Sequence, residues 1–274
     1  MILKDIVRAT NISLEARRKK QPLEEIKDKL FNQGKVNSFN DREPFEFERS
    51  LMKNGSKEGA PIGFICEVKK ASPSKGIISE DFPYLSIAKE YEKAGAAAIS
   101  VLTEGDFFMG SPQYLMEISK NVRIPVLRKD FIIDEYQIYE SKLIGADAVL
   151  LICSILDPII LKEYLSLCNR LGLSALVEAH SGEEIHTALE AGARVIGVNN
   201  RNLNTFEVDI ANSLSLRNLV PSDVIFVAES GINSSKEINI LEKAGVHGAL
   251  IGEALMRSKD KVEFIKELRG YDSY

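Results

Sequence analysis

A junction of helix, glycine and short apolar run recurs along this 274-residue chain and limits what the chain can fold into. The segments that share it are KAGAAAISV, LIGADAVLL, EAGARVIGV and KAGVHGALI, with RLGLSALVE as a looser copy. A glycine at this point favours the left-handed cap that ends a helix, and the apolar run after it has the length of a buried strand. Alternating helices and buried strands are typical of a parallel sheet covered by helices. The five glycines are Gly95, Gly145, Gly172, Gly192 and Gly245.

Counting these units gives eight predicted strands. An open doubly wound sheet usually has fewer parallel strands and a glycine-rich turn after the first one, whereas the first strand here ends in EVKKASPSKG. We therefore predict an α/β fold of the (β/α)8 TIM-barrel class. The strands are predicted near residues 62–68, 97–102, 125–129, 147–152, 173–178, 194–199, 224–229 and 247–251.

The sequence also marks where helices begin. Two predicted helices start with the spacing of a capping box, and a third starts with an aspartate before a proline. These pairs are Ser181 with Glu184, Ser234 with Glu237, and Asp157 with Pro158.

Residues 1–60 precede the first strand and form a predicted N-terminal helical extension. With the barrel at residues 61–270, they complete a single predicted domain over residues 1–274. We assign the extension no chemistry. Its basic run, residues 17–20, is interpreted as a solvated helix end rather than as part of a ligand site.

The charge balance excludes several classes of partner. Lys and Arg number 35 against 40 Asp and Glu, a net charge of −5, so no overall positive field draws the protein to nucleic acid or an anionic membrane. No stretch approaches the roughly 18 apolar residues that span a bilayer. Three widely spaced cysteines in apolar runs, Cys66, Cys153 and Cys168, predict buried thiols in a reducing cytoplasm.

The first predicted strand places two charges at one end of the barrel. In this fold the active site lies where the C-terminal strand ends and the loops after them converge. Because side chains alternate along a strand, Glu67 and Lys69 of FICEVK are predicted to face this mouth while Cys66 points away from it.

The third and fifth strands add a lysine and a carboxylate. In VLRKDF, Lys129 shares a face with Leu127 and Phe131, and this apolar setting predicts a lowered lysine pKa suited to catalysis. The alternative is a structural ion pair of Lys129 with Asp130 or Glu178. Glu178 ends the otherwise apolar SALVEAH strand, and a lone carboxylate there suits general acid/base catalysis.

The sixth and seventh strands also end in polar residues. GVNNRNL sets Asn199 and Arg201 on one face, where an amide can orient a hydroxyl and a guanidinium can hold a carboxylate. VAESGI places Glu229 and Ser230 beside a glycine. Polar groups at so many strand ends indicate a functional site.

The last two loops have the features of a phosphate site. TIM barrels commonly bind phosphate with the loops after strands seven and eight, where backbone amides approach the ligand closely. Gly231, Gly252 and the amide of Glu253 fit this pattern, with Ser72 or Ser74 as hydroxyl donors from the SPSKG loop. No GxxxxGK loop or dinucleotide motif occurs, and the three histidines are scattered, so we predict neither a cofactor nor a metal.

Together these segments resemble the indole-3-glycerol phosphate synthase family of tryptophan biosynthesis. The resemblance spans residues 60–257 in order. Its motifs are CEVKKASPSKG, SVLTEGDFFMGS, PVLRKDFIID, LVEAH, GVNNRNL, VAESGI and LIGEALMR.

The resemblance implies a reaction. The substrate would be 1-(o-carboxyphenylamino)-1-deoxyribulose 5-phosphate, which is cyclised, decarboxylated and dehydrated to indole-3-glycerol phosphate. Lys129 would be the acid for ring closure. Glu178 and Lys69 would supply the base and acid for loss of water, with Glu67 assisting, and the division of labour between the two lysines stays open.

The resemblance also implies binding roles. Asn199 and Ser230 would orient substrate hydroxyls, Arg201 would support the anionic site, and Glu229 would hold the network together. Two rings would flank the aromatic ring of the substrate, and four residues would surround its phosphate. The rings are Phe108 and Phe131, and the phosphate residues are Ser72, Gly231, Gly252 and Glu253. Glu253 departs from the family pattern, since some relatives have serine there.

The expected partner is therefore a small phosphorylated molecule. The resemblance implies a monomer or weak homo-oligomer that can associate with other enzymes of the tryptophan pathway. The chain ends at Tyr274, which predicts a monofunctional enzyme without a fused isomerase domain. Three alternatives stay open: a phosphoribosylanthranilate isomerase-like or other phosphate-binding barrel enzyme, an aldolase that forms a Schiff base on Lys129, and a non-catalytic phosphate-binding scaffold.

Overall fold

The computed structural model describes residues 2–32, 42–55, 61–201 and 207–270. Within them, eight parallel strands close into a barrel in which each strand pairs with the next along the chain and the last pairs with the first. The predicted (β/α)8 barrel is confirmed. Its strands are β1 (Gly63–Val68), β4 (Ala98–Leu102), β5 (Val126–Lys129), β6 (Ala148–Ile152), β7 (Ser174–Ala179), β8 (Val195–Asn199), β9 (Ile225–Glu229) and β10 (Gly248–Ile251), and the hairpin of β2 (Ala71–Ser72) and β3 (Gly76–Ile77) follows β1.

Helices alternate with the strands and pack on the outside of the barrel. The five glycines predicted to end helices all have positive φ, from 67° at Gly172 to 90° at Gly192. The helices are α4 (Tyr84–Lys93), α5 (Pro112–Asn121), α6 (Glu135–Leu143), α7 (Pro158–Leu171), α8 (Gly182–Ala191), α9 (Ala211–Arg217), α10 (Ser235–Lys243), α11 (Glu253–Arg257) and α12 (Lys261–Leu268).

The two predicted capping boxes differ. Ser234 and Glu237 form a complete box at the start of α10. At the start of α8, Ser181 accepts the N–H of Glu184 at 3.3 Å, but the Glu184 carboxylate accepts the N–H of His180 at 2.7 Å. The second box is therefore only half formed, and the carboxylate is turned toward the end of β7.

Alternation along the strands separates two apolar layers. Ile65 packs inside the barrel with Leu127 and Leu176. Cys66 belongs to the layer between the strands and the surrounding helices, as predicted. Side chains two residues apart along a strand therefore face the same layer.

One helix of the N-terminal extension closes the bottom of the barrel. In α3 (Glu46–Gly55), Phe47 and Leu51 are fully buried with the side chains of the barrel interior. A Cβ atom added to Gly63 would lie 3.0 Å from Leu51 Cδ2, so the first strand passes this leucine closely.

The first helix, α1 (Ile2–Lys20), is bound to the barrel through its basic end. Arg17 Nε lies 3.2 Å from Glu140 Oε1 of α6, and Arg18 pairs with Asp134. The interpretation of residues 17–20 as a solvated helix end is therefore wrong for these two arginines, because α6 supplies carboxylates that the local sequence does not reveal.

Helix α2 (Leu23–Phe31) follows and packs against α6, with Ile26 and Leu30 buried. Residues 33–41 and 56–60 of the predicted extension lie outside the described residues. The assignment of the whole chain to one domain stays a prediction.

Two predictions from composition can be compared with the structure. Within the described ranges, none of the helices has the length and apolar character needed to cross a bilayer. The cysteines are free, and Cys66 and Cys168 are buried as predicted, whereas Cys153 is only half-buried.

Candidate active site

Five charged side chains lie together at the C-terminal mouth of the barrel and line one cavity. Glu67 and Lys69 come from the end of β1, Lys129 from β5, Glu178 from β7 and Glu229 from β9. The three carboxylate residues are only 2–3% exposed. Buried charges destabilise a fold unless they are paired, so the two lysines are essential to this arrangement.

Lys129 stands at the centre of the cluster. Its Nζ lies 3.5 Å from Glu178 Oε2 and 3.7 Å from Glu229 Oε2. Burial alone would lower the pKa of Lys129, but Glu178, Glu229 and Glu67 together reverse this effect and raise the pKa above its usual value. The sequence-based expectation of a lowered pKa is therefore wrong, since it considered only the apolar neighbours. The carboxylates therefore favour the ammonium form of Lys129, which carries a proton that it could donate.

Lys69 and Glu67 form a second ion pair, in which Lys69 Nζ donates to Glu67 Oε1. Burial raises the pKa of Glu67, but Lys69 and Lys129 outweigh it and hold the pKa below its usual value. A Cβ atom on Gly252 would lie 2.3 Å from Glu67 Oε1, so this glycine lets the loop after β10 pass against the pair. The lysine–carboxylate pair thus borders the loop after β10 at Gly252.

Glu229 differs from the other carboxylates. Burial and the nearby charge of Glu178 raise its pKa to about 8, although Lys129 opposes the shift. A Cβ atom on Gly197 of β8 would lie only 2.1 Å from Glu229 Oε1, so the absence of a side chain there makes room for this carboxyl group. Sequence reasoning missed Gly197, although a glycine inside a strand often marks such a close approach.

Polar groups after β8 and β9 hold each other in place. Ser230 Oγ donates to Asn199 Oδ1 at 3.0 Å, and the same oxygen accepts the N–H of Arg201 at 3.0 Å. Ser230 has a φ of 67°, a left-handed conformation that non-glycine residues rarely adopt outside constrained sites. Asn200, which sequence reasoning missed, is buried and donates to the carbonyl of Ser230 at 3.0 Å.

Two aromatic rings also line the cavity. The rings of Phe108 and Phe131 have centroids 6.0 Å apart. Ser72 lines the same cavity, and its Oγ lies 3.5 Å from that of Ser74. Glu104, also missed from the sequence, accepts three consecutive N–H groups that end at Phe108, at 2.8–2.9 Å. This carboxylate fixes the loop that carries the ring.

Three of the four predicted phosphate residues meet beside the charged cluster, whereas Ser72 lines the main cavity. Gly231, Gly252 and Glu253 line a second cavity that adjoins the first, together with Lys75. The Glu253 carboxylate lies 3.5 Å from Lys75 Nζ and 3.1 Å from Arg257 Nε, so two cations compensate its charge. Lys75 was not predicted as a site residue, although it stands in the SPSKG loop.

Comparison with known proteins gives the family. The family model for indole-3-glycerol phosphate synthase matches residues 3–268. An indole-3-glycerol phosphate synthase of Ruminiclostridium cellulolyticum is 55% identical over 273 residues, which is 98% of this chain and 99% of that protein. One of Endomicrobium trichonymphae is 56% identical over 269 residues, covering 98% and 100% of the two chains.

The chain belongs to the indole-3-glycerol phosphate synthase family. The resemblance stated from the motifs is thereby confirmed. Among solved structures, a thiamine phosphate pyrophosphorylase from Pyrococcus furiosus superposes with a TM-score of 0.56 at 19% identity, over 77% of this chain and 94% of that one. At this identity the likeness concerns the barrel fold alone.

The geometry of this family member also bears on two alternatives. The isomerase-like alternative expects a cysteine or aspartate of the first strand at the mouth, and Cys66 points outward instead. The aldolase alternative needs a neutral amine at Lys129, whereas the surrounding carboxylates favour its ammonium form. Both observations favour acid/base chemistry.

One contribution to the indole-3-glycerol phosphate synthase site was not foreseen. Ile2, Leu3 and Ile6 at the start of α1 line the mouth cavity together with the strand-end residues. The extension to which we assigned no chemistry therefore supplies an apolar wall. Apolar residues at helical spacing were visible in the sequence, but the barrel end that they cover was not.

Proposed function

We propose that this chain catalyses ring closure, decarboxylation and dehydration of 1-(o-carboxyphenylamino)-1-deoxyribulose 5-phosphate to indole-3-glycerol phosphate by general acid/base catalysis. The observation that carries the proposal is the ammonium group of Lys129, held by Glu178 and Glu229 beside two phenyl rings and next to a glycine-lined cavity. The substrate has a carboxylate-bearing aromatic ring at one end, which the phenyl rings would contact. It has a phosphate at the other end, which the glycine-lined cavity would receive.

The proposed reaction has three steps. A ring carbon bonds to the ribulose carbonyl carbon, and the Lys129 ammonium gives a proton to the carbonyl oxygen, which becomes a hydroxyl. The ring carboxylate leaves as carbon dioxide and its bonding electrons restore the aromatic ring. The hydroxyl then takes a proton from Lys69 and leaves as water, while Glu178 removes a proton from the neighbouring carbon that carries the nitrogen, so that the carbon–carbon double bond of the indole forms. This is one assignment of roles, in which Glu67 assists by holding Lys69.

The remaining site residues are proposed to bind substrate. Asn199 and Ser230 orient the hydroxyls of the ribulose chain, and Arg201 and Glu229 complete the polar network. Phe108 and Phe131 flank the aromatic ring. The phosphate lies among the serine and amide groups of the adjoining loops, namely Ser72, Gly231, Gly252 and Glu253.

The family assignment puts the chain among lyase-type enzymes of tryptophan synthesis. We propose the finer class of carbon–carbon lyase, specifically a carboxy-lyase. We further propose a cytoplasmic enzyme that is a monomer or weak homo-oligomer, and that can associate with other enzymes of the pathway.

The test is to mix the pure protein with the carboxyphenylamino-deoxyribulose phosphate and to follow indole absorbance and fluorescence. Wild-type protein is expected to form product, and Glu178→Gln to lose activity by about 10²- to 10⁴-fold, the usual contribution of a general base. Folded wild-type protein that forms no product would refute the function. Trapping of substrate on Lys129 by borohydride would instead support the aldolase alternative.

A further inference from the structure

The side chain of His180 lies next to that of the candidate base Glu178. It follows the last residue of β7, and strand alternation turns its side chain to the same side as that of Glu178, two residues earlier. His180 Nε2 lies 3.5 Å from Glu178 Oε1, and its Nδ1 lies 3.4 Å from Glu184 Oε2. The imidazole ring therefore stands between two carboxylates.

The Glu184 carboxylate is fixed in its place. The carboxylate accepts the backbone N–H of His180 at 2.7 Å. The backbone N–H of Glu184 donates to the side chain of Ser181 at the start of α8. A carboxylate in the first turn of a helix is also stabilised by the helix dipole. This is the half-formed capping box, and its open half serves to turn Glu184 toward the ring.

The position of the ring determines its protonation state. A neutral imidazole has a single N–H, so in either tautomer one nitrogen lone pair would face a carboxylate. Both ring nitrogens are buried and meet the carboxylates at ion-pair distance without a hydrogen bond, and the side chain is 19% exposed. Only the imidazolium form, with two N–H groups, presents a positive edge to both carboxylates.

Charges on the other elements around His180 act in the same direction. Glu229 of β9 contributes a further negative charge when it is ionised. Cys153, which follows β6, is a thiol whose pKa is raised to about 12 by burial and the nearby glutamates, so it adds no charge. Burial lowers the pKa of His180, but Glu184, Glu178 and Glu229 outweigh burial and raise it.

Glu178 is thus held from two sides. Its Oε2 faces the ammonium of Lys129 at 3.5 Å and its Oε1 faces the imidazole at 3.5 Å. Each oxygen of the candidate base has its own cationic partner, so rotation of the carboxylate would disrupt both contacts.

We propose that His180, as an imidazolium, is a positioning residue that orients the Glu178 carboxylate opposite Lys129 and is itself held by Glu184. The catalytic part of this inference rests on the proposed function, in which Glu178 acts as a base. The orienting contacts themselves do not depend on turnover.

The direct test is an NMR titration of the histidine rings, of which the chain has three. We expect His180 to titrate above the ordinary value of about 6.5 and its midpoint to fall in Glu178→Gln and in Glu184→Gln. His186, which is exposed on α8 and pairs with Glu190, supplies the reference ring signal. A His180 midpoint at or below the ordinary value, unchanged in both variants, would overturn the proposal.

The kinetic test compares His180→Gln with His186→Gln across pH. We expect His180→Gln to lower kcat about 10-fold with KM within about 2-fold, since misplacement of a catalytic group lowers the rate without removing a substrate contact. His180→Ala should recover activity in added imidazole at a pH where imidazole is protonated. A parallel loss of activity in His186→Gln, or an unaltered pH profile in His180→Gln, would contradict the positioning role.

These outcomes separate the two proposals. Wild-type protein that forms no indole product would refute the proposed function, and the ring titration would still decide whether His180 holds Glu178. Should His180→Gln fold poorly, Glu184→Gln leaves both the ring and Glu178 in place and is expected to move the same titration and the same pH profile.

Discussion

The two ends of the barrel interior are built from the same strands but have opposite chemistry. On four strands, the residue that faces the lower interior is apolar and the next inward-facing residue, two positions later, is charged. At the lower end α3 completes the packing with Phe47 and Leu51. The strand pairs are Ile65 with Glu67, Leu127 with Lys129, Leu176 with Glu178, and Val227 with Glu229.

This difference separates stability from function. The lower end gains free energy from removing apolar surface from water, at roughly 25 cal/mol per Å². The upper end instead keeps three carboxyl groups and two lysines out of water, and buried ion pairs seldom repay their desolvation in full. The apolar end therefore has to stabilise a fold whose other end is arranged for chemistry, and substitutions at the two ends should affect different quantities.

The largest effect is expected at the upper end. Lys129→Met keeps the length of the side chain but removes the ammonium group that Glu178 and Glu229 surround. We expect kcat to fall by about 10²- to 10⁴-fold in the indole-forming assay, the usual contribution of a general acid. Lys162→Met on the exposed side of α7 is the control. Near-normal kcat in Lys129→Met would show that the acid is another group.

The lower end should respond in the opposite way. Leu51→Ala removes a fully buried side chain from the bottom of the barrel and is expected to lower the free energy of unfolding by about 2–5 kcal/mol. Activity at a temperature where the variant is folded should stay near that of wild type. Leu219→Ala, at a half-exposed leucine, should cost less than about 1 kcal/mol. Urea unfolding measures the loss of stability in both variants. A large loss of kcat in folded Leu51→Ala would show that the lower end also contributes to catalysis.

The contrast also explains how much could be predicted from sequence. The eight strands were predicted to within about one residue because buried runs, glycine caps and period-two alternation are local patterns. The same alternation correctly placed Glu67 at the mouth and Cys66 outside. Strand bounds and side-chain alternation depend only on residues that are close together in the sequence, so the sequence of one strand is enough to predict them.

What the sequence did not reveal depends on contacts between distant segments. The pKa of Lys129 was predicted in the wrong direction because three carboxylates reach it from other strands. Gly197 makes room for Glu229 across a strand pair, and Ile6 of α1 reaches a mouth formed much later in the chain. The roles of the site residues follow from such contacts and stay predictions until the variants are tested.

A smaller effect concerns the pH dependence of stability. The pKa of Glu229 is raised to about 8 from an ordinary value of about 4.5, so the folded state keeps a proton that the unfolded state has lost between these values. The contribution of Glu229 to stability is complete below about pH 4.5 and is lost as pH rises through about 8. In Glu229→Gln the group no longer titrates.

The measurement is urea unfolding of wild type and Glu229→Gln from pH 5 to pH 9. The difference in unfolding free energy, wild type minus variant, should decrease with rising pH by up to a few kcal/mol and level off above about pH 8. Glu267→Gln at the exposed face of α12 is the control and should show a flat difference over this range. A flat difference for Glu229→Gln as well would mean that Glu229 is ionised in the folded state at neutral pH.

The smallest expected effect concerns Glu253, which follows Gly252 at the start of α11. The Glu253 carboxylate forms an ion pair with Lys75 beside the proposed phosphate position, with 3.5 Å between Lys75 Nζ and Glu253 Oε1. Glu253→Gln keeps the backbone amide but releases Lys75 and removes a negative charge. A partly exposed ion pair is worth about 0.2–1 kcal/mol, so KM for the substrate should fall by less than about 5-fold with kcat unchanged. Inhibition by inorganic phosphate should tighten in parallel. A rise in KM would instead mean that the carboxylate, through Lys75 and Arg257, holds the loop in its binding conformation.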